Sequence, residues 1–399
     1  MRQWRWFIVF LLVATVCALP RFGQRENEYA PSVSDSDLYL EMARVFTGDQ
    51  AQFTPAYVAW QPHHYNRPLV PWLAGHLGKH LLRGNLRAAF SLLDILAAAG
   101  IALMLKQAIE RQAPAWRYTW LPSLLFLTGF PQLNWGYHLL TDTAGLATAL
   151  LTALYAVRLI SAEKRGRSLA VSLAGLFVCS SLMFLTRETG WLAVITAVWV
   201  AGPVFLRASS GNRVSLGLIL LVLLAGKLPH SLYEQAYGLG TPVLHAATLF
   251  KWNPAYWLDV AVKAGICFHI VWLAVAWRLW LAVRGQRRER PPFWMVGWGL
   301  GCGLYMAAAY SHNDITVIGY PMRIIYSLFP LIYFWVEELF ESGAIRWRPH
   351  LLAALLCAAQ WGVGLTGVYL DPGTPKVTAP ALFDSLRVSE GEATTGAVH

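Results

Sequence analysis

Charge is scarce in this chain. Only 14% of its 399 residues are Asp, Glu, Lys or Arg, against 56% hydrophobic ones, and the mean hydropathy is +0.43. That scarcity excludes an ordinary soluble globular domain and points to a polytopic membrane protein, in which apolar runs of about twenty residues cross the hydrocarbon core. Cysteine is scarce as well: the five, at positions 17, 179, 267, 302 and 357, fall in or beside apolar runs without a close pair. Such spacing leads us to expect neither a disulfide framework nor a cysteine-based metal site. The 32 Lys and Arg, which give a net charge of +10, do not gather into one stretch that would read as a nucleic-acid surface. They recur in short segments between apolar runs, the distribution that sets membrane topology.

Hydropathy and breaker residues divide the chain into about eleven spans. They lie near residues 6–19, 86–105, 119–132, 142–160, 169–185, 189–206, 214–229, 259–279, 293–310, 324–340 and 350–369. The first reads as an uncleaved helix rather than a signal peptide, because Cys17-Ala18-Leu19-Pro20 is a poor small-x-small cleavage site. The connections then alternate between two kinds. One set carries Arg111 and Arg117, Lys164 to Arg167, Arg207 and Arg213, Arg284 to Arg290, and Arg346 with Arg348. The positive-inside rule puts this set and the N-terminus in the cytoplasm. The other set holds every long or chemically mixed segment, residues 20–85, 134–141, 186–189, 230–258 and 311–323, on the extracytoplasmic side. Residues 1–370 are therefore expected to form one multi-pass domain of a plasma (inner) membrane. The stretch 371–399, rich in Pro, Gly, Thr and Ser, is expected to be a flexible extracytoplasmic tail.

Two stretches of the first long loop read as amphipathic helices. Asp37 to Phe46 sets Leu38, Met42 and Val45 on one side and Glu41 and Arg44 on the other; Asn66 to Leu82 carries an apolar stripe of Leu69, Trp72, Leu73 and Leu77. Helices of that size beside spans lie in the interface plane. Together they are expected to build a platform above the bilayer.

At the head of that loop stands an acidic cluster, Ser34-Asp35-Ser36-Asp37-Leu38-Tyr39-Leu40. A carboxylate at a membrane surface can act as general base on an acceptor hydroxyl or amine. An activated sugar presented by a lipid phosphate further needs cations, since negative charge develops on the leaving phosphate as the glycosidic bond breaks. Arg67, Arg187 and Arg323 are among the arginines that the topology places on the same side, and the planar guanidinium pairs with phosphate through two parallel hydrogen bonds.

These residues resemble the GT-C superfamily of integral-membrane glycosyltransferases, near its protein O-mannosyltransferase and lipid A aminoarabinose transferase branches. The resemblance rests on Asp35 to Ala43, similar to that family's acidic motif followed by Tyr and a small-residue helix, and on Tyr65-Asn66-Arg67-Pro68-Leu69, similar to the segment opening its second loop helix. Thr141-Asp142-Thr143, Thr186-Arg187-Glu188-Thr189-Gly190 and Tyr320-Pro321-Met322-Arg323 resemble its later outer-side positions, so the likeness runs over nearly the whole chain. It implies an all-α fold and a polyprenyl-phosphate sugar donor. It further implies an outer-face acceptor (glycan, lipid or protein) and inversion at the anomeric carbon. Asp35, four positions before Tyr39, matches the family's catalytic Asp. Asp37 falls on a more variable catalytic-motif position, and Arg323 matches the cation assigned to the lipid-linked phosphate. Tyr39, Arg67, Asp142, Arg187, Glu188 and Tyr320 complete the expected substrate-binding set. Without a large soluble C-terminal domain, transfer of a whole oligosaccharide to Asn is not expected.

Plainer readings compete with these. Asp37, Asp142 and, less strongly, Asp35 also suit helix N-caps, and Arg187 with Glu188 suits a local ion pair at a helix end. His63 and His64 suit a solvated loop or, alternatively, the lining of an acceptor cleft. His76 and His80 stand at i, i+4, but no neighbouring Glu or third ligand accompanies them, so no metal set is assigned and a divalent cation stays open as cofactor. Among the outer-side aromatics, Tyr233, Tyr237, Trp252, Tyr256 and Trp257 read as headgroup anchors or as a surface for sugar or polyprenyl. Rival functions are a polysaccharide polymerase or ligase with a lipid-diphosphate donor, a transporter or flippase of lipid-linked glycans, and a non-catalytic binding descendant of the fold.

Overall fold

The computed structural model describes residues 2–24, 34–60, 62–162, 167–239, 254–285, 290–309, 324–341, 345 and 348–370. Tyr320, Arg323 and the tail at 371–399 lie outside the described residues. All regular structure among the described residues is helical. Six stretches among the described residues are long and apolar enough to cross a membrane: Gln3–Arg21, Leu86–Gln112, Asp142–Ser161, Ser168–Thr186, Glu188–Arg207 and Ser210–Ala236. A seventh is a pair of helices, Val260–Phe268 and Val271–Val283, bent by 102° at His269, whose φ is +23°.

That measure does not reach the eleven spans expected. The segment near 119–132 is only a seven-residue helix, α7 (Leu121–Leu127), about 10 Å long and too short to cross. Gly129 and Pro131 follow it, and a Cβ on Gly129 would lie 2.1 Å from the Tyr326 hydroxyl. That hydroxyl donates to the Phe126 carbonyl at 2.6 Å, so the close approach satisfies an acceptor at the helix end. Over the last three expected spans lie α15 (Phe293–Ala309), α16 (Phe329–Glu341) and α17 (Pro349–Leu370), none of which meets the length and apolarity of the six.

The first long loop is a built platform. It holds α2 (Asp35–Phe46), two short helices α3 (Pro55–Trp60) and α4 (Pro62–Tyr65), and α5 (Leu69–Leu81), which runs through a turn at Arg83 and Gly84 into α6 (Leu86–Gln112). Platform and bundle have separate apolar cores. Leu38, Tyr39, Met42, Tyr65, Val70 and Ala74 pack with Phe90, Leu139 and Leu140, apart from the large cluster between the long helices.

Only half of the expected stripe of α5 turns away from its buried side, since Leu77 packs, partly buried, against the platform core and Leu69 is half-buried. Val70, Pro71, Ala74, Gly75 and Gly78 are buried, while Trp72 and Leu73 are 47% and 38% exposed. A Cβ at Gly75 would stand 2.8 Å from the Ala43 carbonyl of α2, and one at Gly78 the same distance from Leu86 of α6. Small residues let the helix backbones meet, and Trp72 and Leu73 are left for lipid.

Candidate active site

The platform sits on the ends of three long helices: α8 (Asp142–Ser161), α9 (Arg167–Thr186) and α10 (Trp191–Arg207). Between α9 and α10 the chain breaks, with Arg187 extended (φ −169°, ψ 156°) ahead of a single 3-10 turn at Glu188–Gly190. The break places a guanidinium and a carboxylate where two helices end.

Arg187 Nη1 stands 2.7 Å from Asp142 Oδ2, at the first turn of α8, and donates to Thr141 Oγ1 at 3.4 Å. Arg67, which follows α4, grips Glu188 with both edges of its fork: Nε to Oε2 at 3.0 Å and Nη2 to Oε1 at 2.5 Å. Its third nitrogen, Nη1, donates to the Tyr39 hydroxyl of α2 at 2.6 Å. The Tyr305 hydroxyl of α15 donates to Glu188 Oε1 at 3.3 Å. Both arginines are buried, whereas the Glu188 side chain is 37% exposed, so the cluster has a closed floor and one open edge.

Asp35 joins this cluster through a histidine. His64 Nε2 lies 3.1 Å from Asp35 Oδ1, and the His64 ring packs edge-on against Tyr39 with centroids 5.8 Å apart. Burial pushes the imidazole below its ordinary value, an effect that the Asp35 hydrogen bond opposes only in part. A neutral His64 donates its Nε2 proton to the carboxylate, and Asp35 keeps a 28% exposed side chain. Burial likewise pushes the Tyr39 hydroxyl up, so it stays protonated beside two guanidiniums.

Asp37 turns the other way. Its Oδ2 accepts from the Ser34 backbone N–H and from Ser34 Oγ, each at 2.9 Å, in a capping box that starts α2. The cap also fixes Asp35, since the first turn of α2 presents both residues.

Tyr39, Arg67, Asp142, Arg187 and Glu188 thus meet in one cluster, with Asp35 reaching it through His64. Sequence reasoning left His64 between a solvated loop and an acceptor cleft, gave Thr141 no role of its own, and set Glu41 on a polar face. Tyr305 had no signal, being one hydroxyl inside an apolar run. Glu41 is buried and accepts from Thr54 N (2.8 Å), Gln50 Nε2 (2.9 Å), Thr54 Oγ1 and Tyr65 Oη, tying residues 50–65 onto α2. A second clamp comes from α12 (Leu228–Ala236), where His230 Nε2 sits 2.8 Å from the Asn66 carbonyl and Tyr233 donates to the Tyr65 carbonyl at 2.9 Å. Below the cluster, Asp94 of α6 is buried with both carboxylate oxygens lacking a hydrogen-bond partner among the described residues. His76 and His80 stack at 5.7 Å on α5, and no third His, Cys, Asp or Glu among the described residues joins them.

No protein-family model matches the chain. No curated protein matches it in sequence either. In structure it is similar to ArnT from Cupriavidus metallidurans bound to undecaprenyl phosphate, with a TM-score of 0.54 and 15% sequence identity over 89% of this chain and 64% of that one. This chain therefore spans a little under two thirds of that protein's length. The likeness shows the fold: this is an all-α polytopic membrane protein folded like that one.

Proposed function

We propose that this protein is an inverting membrane glycosyltransferase, moving one sugar from a polyprenyl-phosphate donor to an extracytoplasmic acceptor, with Asp35 as general base. The observation that carries the reading is the placement of the Asp35–His64 pair beside the Tyr39, Arg67, Glu188, Arg187 and Asp142 cluster, at one end of a fold shared with a protein solved with undecaprenyl phosphate. Asp35 takes the proton from the acceptor hydroxyl or amine as that atom attacks the anomeric carbon. The bond from that carbon to the phosphate oxygen breaks on the opposite face, which inverts the configuration. The polyprenyl phosphate leaves as an anion. His64 holds Asp35 in place by one hydrogen bond, and the capping box of Asp37 fixes the helix turn that presents it.

The two buried arginines are already matched by carboxylates. Arg67 and Arg187 face Glu188 and Asp142, with Asp35 a third negative group nearby. A donor phosphate arriving there needs a further cation. Arg323, the residue that the family resemblance assigns to the lipid-linked phosphate, is proposed for it, and a divalent cation is the other source. Losing a charge-assisted hydrogen bond of about 1.5–3 kcal/mol corresponds to roughly 10- to 150-fold. Arg323→Gln is therefore expected to lower kcat/KM for the donor by that factor.

The test is sugar transfer by purified protein in nanodiscs, with a panel of polyprenyl-phosphate sugars and crude membrane acceptors, comparing wild type with Asp35→Asn. Loss of a general base costs about two to four orders of magnitude in rate. Release of polyprenyl phosphate by wild type and not by the folded variant is the expected result. Transfer only from lipid-diphosphate donors would give the assignment to a polymerase or ligase, and near-normal turnover in Asp35→Asn would remove the base.

A further inference from the structure

The end of the bundle far from this cluster carries a cavity of about 460 Å³ whose walls are partly charged and partly apolar. It opens between α14 (Val271–Val283), α16 and the start of α15, beside residues 290 and 291. That end is fixed by contacts: Glu341, at the close of α16, accepts the backbone N–H groups of Arg117 and Tyr118, which follow the far end of α6. On the cavity wall, Arg278 forms a two-pronged, buried ion pair with Glu338, Nε to Oε2 at 2.9 Å and Nη2 to Oε1. The pair is neutral as a unit. Arg290, also on the wall, is exposed and has no carboxylate partner among the described residues. Among the described residues that line it, the cavity therefore has one positive charge without a carboxylate partner.

Its other walls are apolar, from Val275, Leu279 and Trp335. The outer face of α14 is built for lipid: Leu273, Trp277, Trp280 and Val283 are between 44% and 85% exposed. Tryptophan concentrates where hydrocarbon meets headgroups, and the Arg284 guanidinium lies over the Trp280 ring at 4.0 Å, a basic group at the same level. A basic pocket between helices, open beside an aromatic belt on the basic side of the membrane, has the features that take an anionic lipid headgroup.

We propose that this cavity binds one anionic phospholipid of the cytoplasmic leaflet, with the phosphate on Arg290 and an acyl chain along Leu279, Val275 and Trp335. This site is separate from the proposed transfer site and does not depend on it. The Arg278–Glu338 pair forms the floor.

The experiment is a titration of purified full-length protein in neutral detergent with phosphatidylglycerol or phosphatidylcholine, read by native mass spectrometry and by thermal shift. Inorganic phosphate is a third arm. Three variants accompany wild type: Arg290→Gln removes the charge, Leu279→Trp fills the pocket without altering charge, and Arg284→Gln removes a nearby basic group outside the cavity wall. The expected result is preferential binding of phosphatidylglycerol, weakened at least about tenfold by Arg290→Gln and by Leu279→Trp, with a smaller effect of Arg284→Gln. Three results would overturn the proposal: equal binding of both lipids, full binding by Leu279→Trp, which would mean diffuse surface attraction, or stabilisation by inorganic phosphate equal to that by the lipid, which would mean a soluble-anion site.

Discussion

At the scale of single residues, the Asp35–His64 contact makes a signed statement about pH. A histidine whose folded value lies below its ordinary 6.5 takes up protons more readily when unfolded. Its contribution to stability is therefore complete above about pH 6.5 and is lost as the pH falls from there toward the folded value. His64→Gln keeps an N–H donor for Asp35 but does not titrate. Between about pH 7 and pH 5.5, the melting temperature of wild type should fall more steeply than that of His64→Gln, and parallel curves would place the titration elsewhere. Asp35 was singled out in the sequence because an acidic motif after a first span suggests a recognisable chemistry. His64 was not, because an irregular loop has no hydrophobic period from which burial can be read. The same limit hid Glu41, which sits on the charged side of an amphipathic pattern and becomes buried only because residues 50–65 fold back over it.

At the scale of elements, the cluster depends on close approach between helix ends. Gly145, in the first turn of α8, lies against Arg187: an added Cβ would meet Arg187 Cβ at 2.9 Å and Cδ and Thr189 Oγ1 at 3.1 Å. The backbone of the neighbouring break cannot yield without moving the guanidinium. Gly145→Val should thus disturb the Arg187–Asp142 pair and lower transfer by one to two orders of magnitude, about 1.4–2.8 kcal/mol in the barrier. The protein should remain folded, as checked by size-exclusion profile and circular dichroism. Unchanged kinetics would mean that the pair is structural ornament to the reaction. A second element-level expectation concerns Asp94, whose buried carboxyl lacks hydrogen-bond partners in the middle of an apolar helix. An isolated charged carboxylate there is costly to bury. Asp94→Asn should leave thermal stability equal or higher, and a marked loss would reveal a partner that the described residues do not supply. The helices themselves were readable from hydropathy, and so were α2 and α5 from amphipathic spacing. What the pattern could not show was which side of α5 faces protein, since at a bilayer half of the large apolar stripe belongs to lipid and the glycine face to the neighbouring helix. Nor could it show that the run near 119–132 is interrupted, because an apolar stretch with Pro at both ends looks long enough until Tyr326 is seen to occupy the place of a Gly129 side chain.

At the scale of the whole molecule, two separate cores imply two units of different stability. The platform core around Leu38, Tyr39, Tyr65 and Phe90 is smaller than the bundle core, and polar ties hold its upper layer: Glu41 gathers Thr54, Gln50 and Tyr65, while His230 and Tyr233 reach across from α12. Burial alone would raise the Glu41 carboxyl, but the hydrogen bonds from Thr54, Tyr65 and Gln50 outweigh it and hold the group below the ordinary carboxylate range. Glu41 therefore stabilises the platform above the ordinary glutamate value, and that support is lost as acid protonates it. Replacing it by Ala removes the shared acceptor and leaves the Tyr65 hydroxyl, fully buried, without its partner. Each buried group so stranded costs about 1–3 kcal/mol. If the two cores open independently, hydrogen exchange in Glu41→Ala should speed up by tenfold or more over α2 to α5, with α6, α8 and α10 unchanged. Transfer should fall along with platform protection, because Asp35, Tyr39 and Arg67 all ride on that layer while Asp142 and Glu188 stay with the bundle. Faster exchange spread evenly over both units would mean that they open as one, and the platform would then be no separate part but the outermost layer of a single cooperative fold.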